Sequence, residues 1–199
     1  MVKEAPLLSE EWIASRLRDA GENHPLCKED RRSLRPAAVL VPLFTADGQW
    51  HLLYTRRSEV LQDHKGQVAF PGGAAEPGDR SLEWTALREA HEEIGLKPED
   101  VRLLGRMGEV VTVSDYCITP VVAHIPWPYP LVAQEAEVTR IFSIPILWLA
   151  ERGHWTEREY HPPGHEPHMV VFYELYDQEK LWGITARITL NLLSTLGLI

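Results

Sequence analysis

The sequence predicts a mixed fold of class α/β or α+β, with helices placed at intervals along a mixed sheet. Apolar runs of strand length recur between residues 37 and 175. Segments with helical spacing lie before, between and after them. No repeat, low-complexity tract or shift of composition divides the 199 residues. At roughly 150 residues per domain, one domain over residues 1–199 is expected, with 1–36 as an N-terminal helix and connecting arm.

The elements follow in order. Ser9 caps a helix in which Trp12, Ile13, Leu17 and Ala20 fall at helical spacing before Gly21. Residues 21–36 are polar, with Pro25 and Pro36, and read as the arm. AAVLVPLF (37–44) and WHLLYTRR (50–57) form a hairpin across ADGQ. Pro42 has no N–H to give a sheet, so this strand is expected at an edge or at a bulge. GQVAF (66–70) is a short strand that Pro71-Gly72-Gly73 should stop. LEWTALREAHEEI (82–94) is helical, and Gly95 stands where a helix-ending glycine belongs. VRLLGRMGEVVTV and CITPVVAHI supply strand-like runs between 101 and 125, and PWPYP (126–130) is a rigid loop. VTRIFSI (138–144) is a strand, and PILWLAE (145–151) a short helix with proline at its first position. WTEREY and MVVFYEL are strands around the loop HPPGHEPH, and GITARITLNLLSTLGL closes the chain as a helix.

Composition narrows the function. The net charge of −9 argues against a partner read through a basic stripe, such as nucleic acid, and against a polybasic membrane anchor. Two cysteines, Cys27 and Cys117, are too sparse for a disulfide framework or a zinc site. The N-terminus has no signal-peptide core, and no apolar run approaches the ~18 residues of a membrane span. A cytoplasmic location is the expectation. An anionic ligand would have to be met by a few local cations or by a metal.

The helix over 82–94 carries more acid than stability explains. With Glu89 at 0° on the helical wheel, Glu92 falls near 300° and Glu93 near 40° at about 100° per residue, so the three carboxylates share a face. Ala86, Leu87, Ala90 and Ile94 form the apolar stripe. Like charges three and four residues apart cost a few tenths of a kcal/mol each. The dipole disfavours anions in the last turn by ~0.3–1 kcal/mol. Oxygen ligands grouped in this way suit a hard divalent cation such as Mg²⁺, which binds carboxylates, water and phosphate oxygens. Gly72-Gly73, just ahead of the helix, read alone as a turn. In this place they also allow close backbone approach to a ligand or metal.

The string from Gly73 to Leu96 resembles the Nudix box, G-x5-E-x7-R-E-U-x-E-E-x-G-U, where U is bulky and apolar. Arg88-Glu89-Ala90-His91-Glu92-Glu93-Ile94-Gly95-Leu96 fits its second half, with the small Ala90 in the first U place. The first half departs: Asp79 stands for Glu, and residues 80–87 make the following spacer one longer than the box. The coenzyme A pyrophosphatase branch of the family carries a similar extended box. Its upstream signature, approximately L-L-T-x-R-S-x-x-L-x-x-H-x-G-x-V-x-F-P-G-G, is matched by residues 53–73, where only Tyr54 departs at a defined position. ITPVVA (118–123) and LWGITARI (181–188) are weaker landmarks of the same branch.

The resemblance implies an α/β/α sandwich with the box as loop–helix–loop. It implies a hydrolase that uses Mg²⁺ or Mn²⁺ to cleave the pyrophosphate of coenzyme A and its derivatives. Glu89 and Glu93 are the expected metal ligands, with Glu92 as a third ligand or base, and Arg88 orienting the glutamates. Asp79 is expected to support the loop or the metal shell. Water activation stays open between Glu89 and a loop acid, Glu135 or Glu137. Arg56, Arg57, His64 and Lys65, with Gly72 and Gly73, are the expected substrate-binding set. Strand alternation puts Thr55 and Arg57 on one face and Arg56 on the other. Ser58 and Gln67 would orient the loop, and Phe70 belongs to the core. A homodimer is expected from family habit. Two other functions stay open: hydrolysis of another dinucleotide such as NADH or ADP-ribose, and a non-catalytic nucleotide-binding module. His161, His165 and His168 imitate metal-ligand spacing, but three prolines forbid a helix there and no cysteine accompanies them.

Overall fold

The computed structural model describes residues 8–23, 34–60, 64–161 and 166–199. Most of the arm (24–33), with Cys27, lies outside the described residues, as do Leu61, Gln62, Asp63 and His165.

Helix α1 (Glu10–Asn23) is capped as its sequence suggests: Trp12 N–H donates to Ser9 Oγ at 3.2 Å. Strands β1 (Arg35–Ala46) and β2 (Gln49–Arg57) form the first hairpin. β3 (Val68–Ala69) and β4 (Gly72–Ala74) lead into α2 (Leu82–Ile94). β5 (Arg102–Arg106), β6 (Val110–Val111), β7 (Tyr116–His124) and β8 (Val138–Pro145) follow. The chain ends with α3 (Ile146–Ala150), β9 (Trp155–Tyr160), β10 (His168–Tyr173) and α4 (Gly183–Thr195).

Eight strands make one mixed sheet. Its main path runs β3-β2-β1-β7-β5, with β4 on β1, β6 on β7 and β8 on β2. Among the described residues, only β1 and β7 pair in parallel; the other pairs in this sheet are antiparallel. β9 and β10 form a separate two-stranded ribbon.

Side-chain alternation splits the interior into two layers. Val41 and Leu43 of β1, Leu52 and Tyr54 of β2 and Val122 of β7 face one way, against Ile13 and Leu17 of α1 and the apolar sides of α3 and α4. Ala38, Leu40, Phe44, Leu53, Val121 and Ala123 face the other way, against Ala86, Leu87, Ala90 and Ile94 of α2. The result is the α/β/α sandwich, and the apolar stripe read from the wheel is the buried side of α2. Phe70 is buried and stacks on Tyr54 at 4.7 Å, a core position as expected. Among the described residues, no helix is long and apolar enough to cross a membrane.

The boundaries differ from the sequence reading in four places. β1 is central, not an edge, although it contains Pro42. Leu40 N–H donates to Pro71 O at 2.8 Å, and by alternation the Pro42 nitrogen points the same way. On that side β1 pairs with β4 through Val39 and with β2 from Leu43. Proline falls between the two partners, where no N–H is required. Next, Pro71-Gly72 does not end the sheet. Gly72–Ala74 pairs with Ala37–Val39 because the glycines let the strand lie close to β1. Third, the run over 101–113 is divided into β5 and β6. Fourth, Pro145 is the last residue of β8 and caps α3 rather than starting it.

Candidate functional site

The site is built where β4 meets α2. A Cβ on Gly72 would lie 2.4 Å from Ala38 O and 2.6 Å from Val39 Cα, so the backbone itself forbids a side chain. A Cβ on Gly73 would lie 2.6 to 2.7 Å from the Glu89 carboxyl atoms. Glycine therefore leaves the space in which this carboxylate rests against the strand.

Asp79 organises the loop between β4 and α2. Its Oδ2 accepts from Glu76 N–H at 2.9 Å, Thr85 Oγ1 at 2.9 Å and Arg88 Nη2 at 3.0 Å; its Oδ1 accepts from Arg88 Nε at 3.0 Å. Ser81 Oγ caps α2 by accepting from Trp84 N–H at 3.2 Å. The Arg88 hydrogen bonds hold the Asp79 carboxyl well below the usual carboxylate range, and the same pair raises the Arg88 guanidinium. Arg88 then reaches forward. Nη1 donates to Glu89 Oε1 at 2.9 Å and to Glu92 Oε2 at 3.0 Å, and Nη2 donates to Ala74 O at 3.2 Å. Arg88 thus orients the glutamates, and the extra residue before it is accommodated without loss of the Asp79 contact.

The three glutamates do not share one environment. Glu93 lies closest to the apolar stripe of α2 and is buried. Glu89 is half-buried, and the Glu92 side chain is 55% exposed. Burial pushes Glu93 up to about 8; the Arg57 charge and the Gly72 N–H oppose the shift, and Glu89 and Glu137 add to it. Burial also raises Glu89, against the pull of Arg88.

Glu137 faces this pair from a loop that is tied down by main-chain bonds. Val132 N–H donates to Ile94 O at 3.0 Å, Gln134 N–H to Glu93 O at 2.8 Å, and Ser58 N–H to Glu137 O at 2.8 Å. The α2 end that receives this loop is closed by Gly95 in the left-handed region (φ 68), whose N–H donates to His91 O at 2.9 Å.

The basic residues part company. Arg57 points to the site, with Nη1 3.8 Å from Glu93 Oε1. Arg56 lies on the other face, as alternation requires. Its Nη2 donates to Glu59 Oε1 at 3.2 Å, and its Nη1 is 3.8 Å from the buried Glu179, which Arg140 also holds at 2.8 Å. His64 and Lys65 are exposed, and His64 Nδ1 is hydrogen-bonded with Gln67 Oε1 at 3.1 Å. Ser58 Oγ accepts from Val60 N–H at 3.5 Å. In the histidine loop, His161 pairs with Glu159 at 3.3 Å and His168 Nδ1 contacts Glu166 O at 3.2 Å. Sequence reasoning missed Thr85 and the Gly72 N–H. It also missed the Gln134 and Ser58 N–H bonds, which no residue type announces.

A mixed sheet between helices, with a loop and an acidic helix joined through an arginine, defines a Nudix-type site. Residues 34–162 match the NUDIX domain, and the chain belongs to this family of hydrolases. Two relatives are described as uncharacterized Nudix hydrolase NudL. That of Photorhabdus laumondii is 40% identical over 154 residues, covering 77% of this chain and 81% of the relative. That of Yersinia pestis is 37% identical over 158 residues, covering 79% and 78%. The fold is also like that of a solved MutT/nudix family protein from Enterococcus faecalis. The TM-score is 0.54 at 14% identity, over 94% of this chain and 73% of that one.

Nudix hydrolases generally use divalent metals, and the donor set here fits a hard cation. Glu89 and Glu93 are oxygen donors one turn apart, and the glycine at 73 leaves room beside one of them. The fit asks for rearrangement. Among the described residues, no three His, Cys, Asp or Glu side chains are already grouped to hold a metal, and Arg88 is hydrogen-bonded to both Glu89 and Glu92.

Proposed function

We propose that the chain is an Mg²⁺- or Mn²⁺-dependent pyrophosphohydrolase of coenzyme A and its derivatives, releasing adenosine 3′,5′-bisphosphate and 4′-phosphopantetheine. One observation carries this reading. The stretch 53–73, which resembles the coenzyme A pyrophosphatase signature, includes the end of β2, β3 and the first residues of β4, where Gly73 leaves room for Glu89.

Glu89 and Glu93 would hold the metal, with Glu92 on the solvent side. The metal supplies positive charge to the phosphate oxygens and acidifies water. The chain's own residues do the rest. Asp79 anchors Arg88, and Arg88 fixes the Glu89 carboxylate. Water attacks one phosphorus, the bond from that phosphorus to the bridging oxygen breaks, and the second phosphate leaves. Glu89 and Glu137 lie within electrostatic reach of Glu93 and are the candidates to take the proton of the attacking water. Lys65 offers charge, and His64 a ring nitrogen, for the 3′-phosphate; both are exposed. The substrate is a small molecule, and the acidic balance of the chain is answered by metal and by a few placed cations.

The test is product analysis with coenzyme A, 3′-dephospho-coenzyme A, NADH and ADP-ribose as substrates. Coenzyme A should give the highest kcat/KM. A clear preference for a substrate without the 3′-phosphate would overturn the reading.

A further inference from the structure

Strands β2 and β8 do not keep one register to their ends. Arg56 stands opposite Arg140, but the next pair is Arg57 with Val138, so Thr139 is an extra residue on β8. This is a β-bulge, a device that re-aims side chains and is common beside active sites. In a regular ladder Ser58 would meet Val138. Here Ser58 N–H donates to Glu137 O at 2.8 Å, and Glu137 lies within electrostatic reach of Glu89 and Glu93. That bond needs no side chain of its own; it needs the bulge to stay where it is.

The bulge has an unfavourable neighbour. Arg56 and Arg140 face each other directly across the two strands, where like charges are destabilising. Glu179 answers both. Its side chain is 4% exposed, accepts from Arg140 Nη1 at 2.8 Å and lies 3.8 Å from Arg56 Nη1. The turn that carries it is closed by two main-chain bonds between Tyr176 and Glu179, at 3.1 and 2.9 Å, and Arg140 also donates to Asp177 O at 3.0 Å. The other acids on the arginine pair, Glu59 and Asp177, are exposed. Glu179 is therefore the buried countercharge, and without it two cations confront each other beside the bulge.

We infer that Glu179 is a positioning residue of the hydrolytic site: by neutralising Arg56 and Arg140 on the far face of the sheet, it pins the bulge at Thr139 and so holds Glu137 toward the glutamates of α2. The inference rests on the reading that Glu137 serves a hydrolytic site, but not on the substrate being coenzyme A.

The test is a double-mutant cycle on the full-length protein, with the diphosphate that the substrate panel ranks first. E179Q keeps the shape and removes the charge. It should lower kcat ~10-fold, within the ~100-fold that a misplacement of ~1 Å can cost. Its KM should stay within about twofold of wild type, because Glu179 does not touch substrate. E137Q should lower kcat at least as far, and E179Q/E137Q should fall no lower than E137Q alone, because residues that act through one another are not additive. Amide hydrogen exchange reads the geometry without turnover. In E179Q the Ser58 N–H should exchange at least ~10-fold faster, while the Gln134 N–H, which donates to Glu93 O, keeps its protection. E179Q/R140Q removes the repulsion and should recover slow Ser58 exchange and most of kcat; if E179Q alone does not fold, this double variant should. Multiplied losses in E179Q/E137Q, wild-type kcat in E137Q, wild-type Ser58 exchange in E179Q, or an E179Q/R140Q no better than E179Q would each overturn the assignment. If no diphosphate on the panel is cleaved, the hydrolytic reading fails, and the exchange result still decides whether Glu179 pins the bulge.

Discussion

Glu93 is a carboxylate placed where metal-free protein resists its charge, so Glu93→Gln should separate stability from activity. Burial raises its pKa from 4.5 to about 8. The sign follows from linkage. Below the unfolded value both states hold the proton, and nothing is lost. As pH rises from there to about 8, the unfolded chain ionises first, so the fold loses stability. At 1.36 kcal/mol per pKa unit, the loss at pH 7 is about 3 kcal/mol. Glutamine copies the shape of the protonated acid and does not titrate. In EDTA at pH 7, E93Q should therefore melt roughly 6–12 °C above the wild type, given ~2–4 °C per kcal/mol for a chain of this size. At pH 5 the gap should shrink to less than about 1 kcal/mol. Saturating Mg²⁺ should raise the wild-type melting temperature by mass action and leave E93Q nearly unmoved. Turnover should fall at least ~100-fold, as expected when several kcal/mol of transition-state stabilisation are removed. The measurement is differential scanning calorimetry at the two pH values, with and without metal. A metal-free E93Q that melts with or below the wild type at pH 7 would refute the reasoning.

Asp79→Asn removes the charge that anchors Arg88 in a buried pair and should cost ~2–4 kcal/mol, read by urea unfolding. Because Arg88 depresses the Asp79 carboxyl, its contribution is present above the usual pKa near 4 and is lost as pH falls below it. The acid-unfolding limb of D79N should therefore be flatter than that of the wild type. Gly73→Ala should displace the end of a flexible side chain, Glu89, lowering kcat ~10-fold or more with little change in melting temperature. Gly72→Ala meets backbone instead and should destabilise by ~1–3 kcal/mol or more, seen as a lower melting temperature.

What the sequence made legible was whatever rests on periodicity and residue type. Helix α2 was readable because its apolar stripe has period 3.6 and Gly95 is a helix-ending glycine; the Ser81 cap emerged only in the structure. The opposite faces of Arg56 and Arg57 followed from strand alternation. Pro42 misled because the rule for proline considers one neighbouring strand, whereas β1 changes partner at that residue. The acidic face was readable as a group but not as three environments. A 40° offset on a wheel gives no depth, and the sheet packed against α2 decides that Glu93 is buried while Glu92 is open. The pairing of Arg56 with the buried Glu179, more than a hundred residues downstream, is something no local pattern could supply.

The loop that presents Glu137 has a consequence for how this enzyme can change. Its anchoring bonds come from the N–H groups of Val132, Gln134 and Ser58, none of which depends on a side chain. Side chains at 132 and 134 can therefore vary while Glu137 keeps its position. Proline is the one residue type excluded at positions 58, 132 and 134 by loss of the donor. Side-chain identity and loop position are thus separable here, and a library varied at 132 and 134 with proline left out would change the first without disturbing the second.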